Sequence, residues 1–168
     1  MAEQKLLFVV AAGEARAIEA CMPVFDGIGQ RTFVFSETPS VANLVKLSGN
    51  FLIGTVIESL SEAMALVGKA GIERRTYLEF LTSTLFDAPI YHAYGGLVAD
   101  RDFTPAKFPV PLGLKDVRLV LDAGEQLRVP LPLANLLRDR FLRLIAEGGE
   151  ELDWSAISLL AAHDSGQE

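Results

Sequence analysis

The sequence predicts a mainly α protein, a helical C-terminal domain built around one long helix and preceded by a βαβ unit. Two observations carry this reading. An uninterrupted helix-like stretch runs from Ser40 to about Lys69, and strand-like segments are confined to the residues before Pro39. Dividing the chain where the hydrophobic period changes gives a βαβ segment over 1–38 and a helical domain over 39–168. With 168 residues, 50% of them hydrophobic, and a mean hydropathy of +0.30, the chain can bury a sizeable core.

The first element, "KLLFVVAAG", is a continuous apolar run ending in Ala-Gly. A lysine before a short apolar run also suits a secretory leader, but Glu14 and Arg16 follow at once and the run is too short to span a bilayer. It reads as a buried strand. "EARAIEACMPVFDGIG" has helix-like spacing with a glycine stop, and "RTFVF" is rich in β-branched and aromatic residues. The long helix follows, roughly 30 residues and about 45 Å, with Ser40 as N-cap and Gly71 as stop. Shorter helices are predicted near Glu73–Leu85, Pro89–Leu97, Leu114–Leu127, Pro132–Ala146 and Trp154–His163. Turns such as "DAP", "FPVPLG", "RVPLP" and "EGGEELD" separate them. In the last helix Asp153 is the expected cap, with Trp154, Ile157 and Leu160 facing inward.

Composition excludes several functions. A net charge of -7 and a sequence pI near 4.9 repel a phosphate backbone, and no basic stripe offsets them, so nucleic acid is not an expected partner. The lone cysteine, Cys21, makes no internal disulfide and offers no zinc spacing, which suits a reducing, cytoplasmic setting. His92 and His163 lack ligand-spaced neighbours and read as surface or packing residues, so no metal site is expected. Glu58 and Glu62, one turn apart, read as a solvated stripe where the long helix emerges. No serine sits in a G-x-S-x-G elbow.

The long helix is apolar nearly all round through "LVKLSGNFLIGTVIESL", which implies that other helices surround it. Gly49 and Gly54 each cost roughly 1 kcal/mol of helix propensity, so close approach by another backbone or a ligand is expected there. Lys46 is the single charge in "LVKLSGN". It is either a snorkelling lysine near the helix start or an ammonium facing a cleft. Asn50, four residues on and hence on the same side, favours the second, because an amide beside an ammonium suits a carboxylate- or carbonyl-bearing ligand. Two parallel strands and one helix cannot cover both faces of a sheet as apolar as "LLFVV", so the βαβ unit reads as the tail of a larger α/β domain. Neither GxGxxG nor a P-loop pattern occurs in the 168 residues. A glycine-rich phosphate cradle, if the larger domain has one, is expected upstream.

Two motifs resemble a known family. "PSVANLVKLSGN" is similar to a glycine-rich lead into a Lys-x-x-x-Asn helix, and "FPVPLGLKDVRL" to an aromatic followed by Leu and Lys-Asp, about 60 residues later. From Lys5 to about Ala161 the chain resembles the C-terminal part of the β-hydroxyacid dehydrogenases. That group includes 3-hydroxyisobutyrate dehydrogenase and glyoxylate/succinic semialdehyde reductases, and is related to 6-phosphogluconate dehydrogenase and imine reductases. The resemblance implies that the βαβ unit is a remnant of a Rossmann-type domain and that the cofactor is NADP or NAD. It makes Lys46 the catalytic acid/base, which protonates the carbonyl oxygen as hydride arrives. It makes Asn50 the residue that holds this lysine and the substrate, and Phe108 and Asp116 the pocket wall. Lys115 matches a lysine near the cofactor. The implied partners are a small-molecule substrate and a second copy, in a homodimer through the helical domain, with no membrane.

Ser40 and Ala42 stand where the family usually has two glycines, and Gly49 precedes Asn50 where it often has two asparagines. Substrate preference is therefore not carried over. The nucleotide-binding fingerprint and the substrate-gripping Ser-Gly-Gly segment of the family both belong before the matched region. The sequence accordingly reads as the catalytic-lysine half of an NAD(P)-dependent oxidoreductase, inactive alone. The alternative is a non-catalytic truncated dehydrogenase that dimerises or regulates a full-length relative.

Overall fold

The computed structural model describes residues 2–167. The chain divides into two compact units after Gly49, inside its longest helix, where the sequence reading draws its boundary at 38/39.

In the first unit, β1 (Leu7–Ala12), α1 (Ala15–Ile28) and β2 (Gly29–Ser36) form a βαβ unit whose strands pair in parallel, Val9 opposite Thr32 and Val10 opposite Phe33. Strand β1 is as apolar as one in a fully covered sheet, yet one helix shields only part of the pair. Phe8, Val34 and Phe35 are all more than half exposed, and no residue of α1 is buried. A sheet of this composition normally carries helices on both faces.

The long helix α2 spans Ser40–Lys69, and Gly71, at φ +84°, ends it in a backbone conformation that only glycine adopts cheaply. The second unit takes α2 from Asn50 onward together with α3 (Arg74–Thr82), α4 (Pro89–Asp100), α5 (Val110–Leu127), α6 (Pro132–Ala146) and α7 (Ser158–Asp164). A 3-10 turn over Trp154–Ile157 leads into α7, so the predicted last helix is two pieces. Its inward face is as expected, with Trp154, Ile157 and Leu160 nearly inaccessible.

Helix α5 begins at Val110, four residues before its predicted start. The prolines that suggested a turn lie at Pro109, just before the helix, and at Pro111 in its first turn, where the missing N–H would have no intrahelical partner. Gly113 belongs to the helix for a packing reason: a Cβ there would sit 3.1 Å from both the Phe141 and Trp154 rings. Gly124 meets Leu131 in the same way, so α5 and α6 run antiparallel, joined by a tight turn. Their inward residues, Val110, Leu114, Val117 and Val120 with Ala134, Leu137, Phe141 and Leu144, recur at three to four positions and form the core with Ile57, Leu60 and Met64 of α2.

Two expectations about α2 need correction. It is not surrounded: only 33% of its most apolar 18-residue stretch is buried, although by length and composition it could cross a membrane. Leu52 and Leu66 are largely exposed, because the remaining helices of the unit cover one side of it. Of the two glycines singled out in its sequence, Gly54 does admit a close neighbour, with Leu137 Cδ1 3.0 Å from where its Cβ would be, whereas nothing lies within 4 Å at Gly49.

Phe141 is fully buried and stacks on Trp154 with ring centroids 6.4 Å apart. Phe141→Ala should lower unfolding stability by roughly 3–5 kcal/mol, and denaturant titration followed through the fluorescence of Trp154, the only tryptophan, measures it.

Candidate functional site

The two sequence motifs meet at one hydrogen bond. Asn50 Nδ2 donates to Asp116 Oδ2 at 2.6 Å across 66 residues of chain. Asp116 lies in the second turn of α5 and is 3% exposed. A carboxylate only accepts, so the contact fixes the Asn50 amide with its nitrogen toward α5. Lys115, one residue earlier, is mostly exposed and holds its Nζ 4.0 Å from the other oxygen, Oδ1. Lys46 is exposed on α2, one turn before Asn50.

Phe108 lies in the segment leading into α5. Its ring is half-buried and meets Trp154 edge-on at 4.9 Å. Its backbone is tied down from across the fold. Phe108 N–H donates to Asp153 Oδ2 at 3.0 Å and its carbonyl accepts from Trp154 N–H at 2.8 Å. Asp153 caps the 3-10 turn as expected, through Ser155 N–H. That it also reaches Lys107 and Phe108 was not legible from the Asp-Trp-Ser pattern, because those partners lie 46 and 45 residues away.

Glu58 is not part of a solvated stripe. It is 3% exposed, and its Oε1 accepts from Arg140 Nε at 2.6 Å. Arg140 also pairs with Asp164 at 2.7 Å and approaches Glu62 at 3.7 Å, while Arg143 takes the other oxygen of Asp164 at 2.5 Å. Burial pushes the Glu58 carboxyl up, with the Arg140 charge opposing. The Arg143 and Arg140 hydrogen bonds hold Asp164 below the usual carboxylate range. This network ties α2, α6 and α7 together, and its geometry is that of a structural clasp. His92 pairs with Asp87 and His163 with Arg143, both at the surface. Among the described residues no cluster of three or more His, Cys, Asp or Glu is placed to hold a metal ion.

Residues 41–160 match the family described as NAD-binding of NADP-dependent 3-hydroxyisobutyrate dehydrogenase. The chain belongs to this family. It is 38% identical over 156 residues to the uncharacterized oxidoreductase YfjR of Bacillus subtilis, covering 93% of this chain and 54% of that protein. To glyoxylate/succinic semialdehyde reductase 1 of Arabidopsis thaliana it is 30% identical, covering 93% of this chain and 53% of that one. The crystal structure of 3-hydroxyisobutyrate dehydrogenase from Salmonella typhimurium superposes with a TM-score of 0.86 at 31% identity, over 95% of this chain and 55% of that one. The chain thus spans about half the length of the relatives it matches, and its mainly helical fold with a two-stranded parallel sheet superposes on the matching part of the Salmonella structure.

Replacing Asn50 by Leu leaves the Asp116 carboxylate buried without its amide donor. Stability should fall by roughly 1–3 kcal/mol, read from urea unfolding. A second expectation concerns acid. Because the folded pKa of Asp164 is depressed, its stabilisation is present above the ordinary value of 3.8 and is lost as pH falls through the folded value. Asp164→Asn should flatten that part of the stability profile, measured as unfolding midpoints from about pH 6 downward.

Proposed function

We propose that this chain is the catalytic-lysine half of an NAD(P)-dependent oxidoreductase of the 3-hydroxyisobutyrate dehydrogenase type. Its substrate would be a small β-hydroxyacid, semialdehyde or related carbonyl. The observation that carries the reading is the Asn50–Asp116 hydrogen bond, which joins the Lys-x-x-x-Asn helix to the Lys-Asp helix. The names of the relatives support the same reaction class, one being a glyoxylate/succinic semialdehyde reductase.

The nicotinamide, when bound, supplies or accepts the hydride. Lys46 donates a proton to the carbonyl oxygen in reduction and withdraws it from the hydroxyl in oxidation. Asn50, its amide oriented by Asp116, holds the substrate and the lysine. Phe108 and Asp116 form part of the pocket wall. The exposed ammonium of Lys115 suits the polar groups of the cofactor, and that exposure is what makes this chain fit such a ligand. No GxGxxG occurs in the 168 residues, so the phosphate-binding turn belongs to a segment outside them, in the same chain or another.

The homodimer is proposed from the uncovered side of α2. A groove of 320 Å³ between α2 and α6, lined by Val56, Leu133, Leu136 and Leu137 together with Thr55, Glu58, Ser59 and Glu62, and the exposed Leu52 and Leu66, suit a helix of a second copy with polar groups flanking its apolar face. Such association explains an apolar α2 without a membrane. The single exposed thiol, Cys21, is compatible with the cytoplasm. The same exposed face favours a second reading, a dimerising module without catalysis.

The test joins this chain behind the nucleotide-binding half of the Bacillus subtilis relative and follows NADPH oxidation with glyoxylate or succinic semialdehyde. Lys46→Ala should lower kcat by roughly 10²–10⁴ with the sedimentation coefficient unchanged. An unchanged rate would remove Lys46 from the chemistry, and with altered assembly it would favour the module.

A further inference from the structure

We propose that Asp153 is a positioning residue for the substrate pocket, acting through Phe108; the proposal rests on the dehydrogenase reading above. Asp153 is 2% exposed, and its two carboxylate oxygens have separate tasks. Oδ1 faces its own turn, accepting from Ser155 N–H at 3.0 Å and from Ser155 Oγ–H at 2.6 Å. Oδ2 faces the other way and accepts the consecutive N–H groups of Lys107 and Phe108, at 3.1 and 3.0 Å.

A cap needs only the first set of bonds. The second holds Lys107 and Phe108, in a stretch outside any helix that leads through Pro109 into α5. Around it the backbones are laced together. Asp153 N–H donates to Phe103, Val110 N–H to Leu152, and Trp154 N–H to Phe108, with Pro109 and Asp153 paired as an antiparallel bridge. Trp154 then supports the Phe108 ring from one side.

The chemistry follows from the inventory of groups. Residues 107 and 108 offer two adjacent donors in a loop whose backbone would otherwise rely on water. An ionised carboxylate accepts both on one oxygen and makes charge-assisted bonds to them. A carboxamide of the same shape cannot serve both sides, since whichever side receives its nitrogen presents donor to donor. Asp153 touches neither substrate nor cofactor in this scheme. It sets where the Phe108 ring stands, and hence how well a substrate fits before Lys46 acts.

The experiment uses the two-domain protein with Asp153→Ala, which leaves no acceptor on either side, Ser155→Ala and Phe108→Leu, singly and with the first and last combined. Ser155→Ala takes only the Oγ–H bond from Oδ1, keeps the backbone N–H bond, and is the control for a loosened cap. Asp153→Ala is expected to raise KM several-fold with kcat little changed, Ser155→Ala to leave KM in place, and Asp153→Ala to add nothing to the KM of Phe108→Leu. An equal rise in KM for Asp153→Ala and Ser155→Ala overturns the proposal, as does an undiminished effect in the Phe108→Leu background. Amide hydrogen exchange on the 168-residue chain gives a readout independent of turnover. Asp153→Ala should expose the Lys107 and Phe108 amides while α5 stays protected, and retained protection overturns the proposal. If the parent fusion shows no hydride transfer, the dehydrogenase reading fails instead, and the exchange result still decides whether Asp153 holds the segment.

Discussion

The second unit is arranged around a carboxylate that the protein keeps out of water. Asp116 sits on the inward face of α5 among Val110, Leu114, Val117 and Val120, where an apolar side chain would be easier to accommodate. A buried carboxylate is tolerated only with donors in place, and the amide of Asn50 provides one. The bond therefore does more than add a contact. It sets the register of α2 against α5 at one point, with Lys115 one residue earlier on α5.

The rest of the unit keeps that register in place. Trp154 is a hub for three rings from three parts of the chain, Tyr94 of α4 at 5.9 Å, Phe108 at 4.9 Å and Phe141 of α6 at 6.4 Å. Their orientations are two edge-on and one stacked, arrangements that aromatic quadrupoles favour. Burial of Tyr94 in this cluster pushes its phenol pKa up, in line with a packing role for that ring. Arg140 adds a second polar tie two turns further along α2, linking Glu58 to Asp164 and so closing α7 onto the bundle.

Much of this was legible in the sequence because helices declare themselves over short distances. The limits of α2 and α6 follow from Ser40, Gly71, Pro132 and the apolar spacing between them, all within a turn or two of the element they bound. Helix α5 was placed four residues short because two prolines and a glycine in "FPVPLG" read as a turn, whereas Pro111 is harmless in a first turn and Gly113 is required by two aromatic rings. The pairing of Asn50 with Asp116 could be approached only through the resemblance of two motifs, since spacing along a chain carries no information about a contact 66 residues away.

What the sequence by itself determined is the mainly helical class, the βαβ start and the long helix. Those are properties of residue type and local period. Only the tertiary structure decided that Glu58 is clasped rather than solvated, that Gly54 and not Gly49 admits a close neighbour, that α2 keeps an open side, and that Asp153 reaches back to Phe108. Each of these depends on which helix arrives from elsewhere in the chain, and burial, which sets whether a charge must be paired, exists only once it has arrived.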